Sequence, residues 1–211
     1  MRRHTFFASV LLLGSGALPL RAQEPVFTDS IRPVGIVRAS AVVDSVFVDR
    51  TLPHGFVFAG DWGAYLMARL GAVPIPEDLR VAVVADTQHI VLRTRVGDLP
   101  LLAKQALGPL LGMLPPETVV EGEIGLDRLG PQVVRFRLLA VRLNDMPVPE
   151  RFLQEVMAGV GRQYPALTHT GRDLLIQVPL DAEVLLAPGG VRLLGPPAAS
   201  EPGDGGVKGE G

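Results

Sequence analysis

Two pairs of apolar runs, each pair separated by a short polar interruption, restrict the fold of this chain more than any other feature. Leu79 to Ala85 and Ile90 to Val96 flank Asp86, Thr87, Gln88 and His89, the spacing of a β-hairpin with a four-residue loop. Leu79, Val81, Val83 and Ala85 alternate with Arg80, Ala82, Val84 and Asp86, so one face is buried and needs a layer packed against it. Val119 to Leu126 and Gln132 to Arg142 form the second pair, around Asp127, Arg128, Leu129, Gly130 and Pro131. Centring that turn on Leu129 sets Glu121 opposite Arg137, Glu123 opposite Arg135 and Gly122 opposite Phe136, a register with matched charges.

The covering layer is helical. Asp61 is placed to cap a helix from Trp62 to Leu70 that stops at Gly71, with Trp62, Leu66 and Leu70 along one side. Leu101 to Met113 predicts a second helix, apolar nearly all round and kinked at Gly108 and Pro109. Pro149 opens a third that runs to Val160, with Phe152, Leu153, Val156, Met157 and Val160 on one face. Ile36 to Val48, rich in valine and alanine, reads as one long strand or two short ones, and Thr51 to Ala59 as a loop. Leu174 to Val178, Glu183 to Leu186 and Val191 to Leu194 close the chain as a meander. The fold class expected is α+β, a curved antiparallel sheet built of hairpins wrapped around about three helices. Arg95 to Leu101 also aligns with Arg142 to Val148, 47 positions later, which reads either as a duplicated ββα unit or as two generic exits from strand to helix.

The ends carry a different signal. Arg2 and Arg3, an apolar run from Phe6 to Leu13, and small residues leading to Ala22 form a secretory signal peptide over 1–22, shorter than a membrane span. The mature chain is expected to be periplasmic or extracellular. Residues 23–33 read as a linker, 34–194 as one domain, and 195–211, with Val207 their only bulky apolar side chain, as a disordered tail. Such an exported domain contains no cysteine, so its core alone must hold it together. Removing Arg2, Arg3 and Arg21 leaves 17 basic residues against 22 acidic, a net charge of −5. That excludes a nucleic-acid partner, and without a polybasic patch membrane contact is at most peripheral.

Residues able to carry chemistry are sparse. There is no GxSxG, and Ser30, Ser40 and Ser45 are the only serines between the signal and the tail, which argues against the usual hydrolases. His54, His89 and His169 have no paired spacing, so neither a metal nor a cofactor is expected. Asp127 with Arg128, and Arg172 with Asp173, sit beside turns as solvated charges do. Arg93, Arg95, Arg135 and Arg137 line one sheet face, where they could hold a phospholipid headgroup or simply pair with Glu121 and Glu123. The middle helix offers more apolar surface than one sheet face needs, which is room for an aliphatic groove or the stuff of an ordinary core.

The order of parts, a signal, a short helix (GDWGAYLMARLG), a hairpin, an apolar helix, a second hairpin ending in NDMPVPERFL and a closing meander after GRDLLIQVPL, resembles small exported bacterial proteins of uncharacterised families that look like the TULIP-like (tubular lipid-binding) envelope proteins. The resemblance covers Val34 to Leu194 and is carried by the junction from Met146 to Leu153. It implies a curved sheet around helices, a hydrophobic groove and lipid binding without catalysis, and it supplies no catalytic residues. The function expected is non-enzymatic binding of a lipid or another apolar ligand in the bacterial cell envelope. Its groove would be lined by Trp62, Leu66, Leu70, Leu107, Leu110, Leu111, Phe136, Phe152, Val156 and Met157. The alternative is an envelope scaffold that docks another envelope protein on a solid core. An enclosed apolar volume above about 300 Å³ would favour the binder, and a filled interior the scaffold.

Overall fold

The computed structural model describes residues 29–72, 74–99, 104, 113–164 and 172–196, without the side chains of Val156, Val160 and Gln163. The architecture is α+β, with antiparallel sheet bent around helices. Seven strands form a large sheet: β1 (Asp29–Ser30), β3 (Ala82–Ala85), β4 (His89–Arg95), β5 (Val119–Gly130), β6 (Val133–Leu143) and β7 (Met146–Pro147) in that spatial order, with β8 (Asp173–Gln177) also on β6. A smaller sheet has the order β2 (His54–Phe58), β10 (Gly190–Leu194), β9 (Glu183–Ala187). The helices are α1 (Val34–Val43), extended by a wider π turn over Asp44–Val48, α2 (Ala59–Leu70) and α3 (Glu150–Gln163).

The first hairpin forms as its alternation requires. Ala85 pairs with Ile90, and Asp86 closes the loop by accepting from the backbone N–H groups of Gln88 and His89 at 2.6 and 2.7 Å, an Asx turn. The second hairpin has a different register from the one expected. Its turn is Pro131–Gln132 rather than one centred on Leu129, so Asp127 faces Arg135, Leu126 faces Phe136 and Glu121 faces Arg142. Proline sets the φ of the first central turn position and donates no hydrogen bond, which leaves Asp127 to Gly130 free to continue as strand. A bulge between Glu123 and Ile124, with Leu139 as the extra residue, then keeps Arg135, Arg137 and Arg142 on one face.

Five other expectations are corrected. Ile36 to Val48 is helical, because Gly35, Ala39 and Val46 recur at helical spacing and are the buried positions; β-branched content misled where periodicity governs. Small residues bring α1 close to α2, and a Cβ on Gly35 would lie 2.8 Å from the Asp61 Cα. Thr51 to Ala59 contains β2, which pairs with β10 from His54 to Phe58. The closing strands are no meander: β8 joins β6, whereas β9 and β10 turn at Pro188–Gly189 into the small sheet. Residues 29–31, expected as linker, enter the fold through the pairing of β1 with β3 and the burial of Ile31. The two aligned exits differ as well, since Val96–Asp98 is a single 3₁₀ turn whereas Asn144 and Asp145, both at positive φ, turn the chain back into β7.

The inner faces of the two sheets close on α2. Val83, Ile90, Val134, Phe136 and Ile176 come from the large sheet, and Val57, Val184, Val191 and Leu193 from the small one. Each such side chain contributes about 1.5–3 kcal/mol by leaving water. Gly189 joins the sheets, donating to the Ala85 carbonyl at 2.9 Å and accepting from the Ala59 N–H at 3.0 Å. Among the described residues no helix is long and apolar enough to cross a membrane. The expected signal peptide, most of the helix expected over 101–113, and the tail from 197 onward lie outside the described residues.

Candidate ligand site

The expected groove residues fall into four groups. Trp62, Leu66 and Phe136 are buried in the core. Trp62 stacks on Tyr65 at 5.1 Å and meets Phe136 at 5.8 Å. The cavity beside them, bordered by Val43, Phe47 and Val134, holds about 20 Å³, room for one water and far below the volume of a ligand pocket. Leu70 is half-buried at the end of α2. Phe152 and Met157 sit on α3, Met157 buried and Phe152 half-buried with the Arg151 guanidinium 4.9 Å above its ring. Leu107, Leu110, Leu111 and the Val156 side chain lie outside the described residues.

The opposite face of the large sheet carries a charge ladder. The Glu121 carboxylate is buried and accepts from Arg93 at 2.7 Å and from Arg142 at 3.0 Å. Glu123 accepts from Arg142 at 3.3 Å and lies 3.4 Å from His89. Asp127 takes Arg135 at 2.5 Å. Asp173 is gripped by Arg137 through two bonds of 2.9 and 3.1 Å, which hold its carboxyl below the usual carboxylate range. Each of these arginines has a carboxylate partner, although the buried Arg135 Nε has no hydrogen-bond partner among the described residues, and the ladder is structural. Two of the serine hydroxyls are also engaged: Ser45 donates to the Ala41 carbonyl at 2.8 Å, and Ser30 accepts from Arg32 at 3.2 Å. No cluster of potential metal ligands occurs among the described residues.

A cleft of about 760 Å³ opens where the β1–α1 connection stands away from β3 and β4. Pro33, Val34 and Ala82 give it an aliphatic lining, with Ile31, Leu79 and Val81 beneath as part of the core, and Arg32, Arg80, Arg93 and Arg95 bring cationic groups. Its position follows from local chemistry. Ile31 donates to the Val81 carbonyl at 3.0 Å and the Thr94 hydroxyl donates to the Arg80 carbonyl at 2.7 Å, so the chain entering β3 is clamped on both sides and its arginines stay at the rim. Asp29 fixes the other end, its carboxylate accepting from Ser30 N–H at 2.8 Å and from Gly60 N–H at 2.7 Å. Sequence reasoning missed this cleft because part of its wall, residues 30–33, reads as linker; the sole hint is Ile31 between polar Ser30 and Arg32, too short a run to register as strand. Comparison with protein-family profiles, curated proteins and solved structures finds no match to this chain.

Proposed function

We propose that this protein binds a lipid or another apolar molecule in the bacterial cell envelope without acting on it, and that the cleft beside β1, β3 and β4 is where the molecule sits. The observation that carries this reading is the cleft itself, about 760 Å³ with aliphatic walls, within the range of small-molecule sites. The proposed position differs from the groove read from sequence, because the region around Trp62 has about 20 Å³ to offer. Native mass spectrometry of protein purified from its own host, with solvent extraction, tests the reading. Near one lipid per chain supports it; a ligand-free protein that also ignores fluorescent acyl probes overturns it. Replacing the half-buried Ala82, which lines the cleft, by tryptophan fills that space, and Ala82→Trp should abolish probe binding while leaving the circular dichroism spectrum intact.

The filled interior at Trp62 favours a second reading, an envelope scaffold with a solid core. Under that reading Ala82→Trp changes no ligand, and the protein copurifies with a partner protein instead of a lipid.

A further inference from the structure

We infer that the molecule held in the cleft is an amphiphile with an anionic headgroup, a carboxylate or phosphate, and that Arg80 and Arg95 bind that headgroup. The inference rests on the cleft reading above and adds the chemistry of its ligand. On the outer face of the large sheet, Arg93, Arg135, Arg137 and Arg142 each have a carboxylate partner. Arg80 and Arg95 break that pattern. The pairing of Ala82 with Arg93, carried back two residues along the same chain, sets Arg80 across from Arg95, and the Thr94 bond to the Arg80 carbonyl keeps the two segments adjacent. Both arginines are exposed, both line the cleft, and neither has an acidic partner within 4.0 Å among the described residues. Glu77 and Asp98 line the cleft too, but neither pairs with them.

Two arginines at cross-strand positions repel, and the repulsion is relieved by an anion whose oxygens accept from both forks. Pro33, Val34 and Ala82 line the same cleft as the two arginines, so a hydrocarbon chain attached to that anion has an apolar surface to lie on. A free inorganic anion would leave that surface unused. The two features together define a headgroup end and a chain end.

Calorimetric titration at low salt compares dodecanoate, dodecyl phosphate, the neutral monododecanoyl glycerol and inorganic phosphate, each below the concentration at which it self-assembles. The two anionic amphiphiles should bind about tenfold more tightly than the neutral one, with the preference shrinking as salt is added. An Arg80→Gln, Arg95→Gln double variant should lose that preference and keep its affinity for the neutral amphiphile; because both side chains are exposed, it should fold normally. Equal binding of anionic and neutral amphiphiles, or a double variant that retains the preference, overturns this inference and leaves the cleft reading standing. Inorganic phosphate bound as tightly as dodecyl phosphate overturns the amphiphile. Failure of all four to bind overturns the cleft reading and this inference with it.

Discussion

Asp173 shows how a single carboxylate on the large sheet couples stability to acid. The two bonds from Arg137, with Arg135 and Arg172 nearby, hold its carboxyl below the ordinary value, whereas in the unfolded chain it titrates near about 3.9. The native state thus binds its proton less readily, and the stability that Asp173 contributes is complete above the unfolded value and is lost as pH falls through the native one. Asp173→Asn should cost about 1 kcal/mol at neutral pH, a modest figure because the guanidinium groups reach solvent. The gap between wild type and variant should close as urea unfolding, followed by Trp62 fluorescence, is repeated below pH 4 or so. Asp61 works in the opposite sense: partial burial raises its carboxyl, so its ionisation opposes folding as pH rises past the unfolded value. Trp62, the single tryptophan, carries a buried indole N–H with no hydrogen-bond partner among the described residues. Trp62→Ala should cost about 3–5 kcal/mol through the cavity it leaves. Trp62→Phe should cost distinctly less, since it also removes the orphaned donor; denaturant midpoints by circular dichroism check both.

At the scale of elements, the start of α2 depends on a residue far away in sequence. The expected cap was Asp61, but the helix begins at Ala59 and its Gly60 N–H is taken by Asp29 from β1, a carboxylate at the positive end of the helix. Gly60 permits that approach. A Cβ there would lie 2.3 Å from the Ser30 carbonyl oxygen and 2.7 Å from Asp29 Oδ1, so Gly60→Ala should push β1 off the helix and lower stability by about 1–3 kcal/mol, measured as a fall in Tm. Because residues 30–34 form one wall of the cleft, the same variant should also weaken acyl-probe binding. Arg172 plays a comparable role on β6. Its guanidinium donates to the Leu138 carbonyl at 3.1 Å and reaches Glu150 at the start of α3, serving strand edge between β7 and β8 that neither strand pairs.

At the scale of the molecule, two sheets and a helix pair share one core, and the cleft arises at the edge of the large sheet. β1 is two residues long, and beyond it the chain departs toward α1. The space so opened is lined on one side by the aliphatic residues of that connection and on the other by the entry to β3 and the end of β4. Ligand binding there should stabilise the whole domain, because β1, the α2 cap and β3 are linked through Asp29 and Ile31.

Local pattern determined what depends on neighbours in sequence. The 79–96 hairpin, the stop of α2 at Gly71 with its φ of 84°, and the opening of α3 after Pro149 were readable because alternation, glycine and proline act within a few residues. Tertiary structure decided the rest. The helicity of α1 came from a buried stripe against α2 and β2 that overrides β-branched propensity. The register of the second hairpin turned on a bulge and a proline turn, the separate small sheet on pairing across more than 130 residues between β2 and β10. The candidate site belongs to that second group. Trp62 and Phe136 looked equally fit for a groove or a core, since apolarity alone carries no information on whether space remains between side chains, and only their packing settled that the space lies elsewhere, beside Arg80 and Arg95.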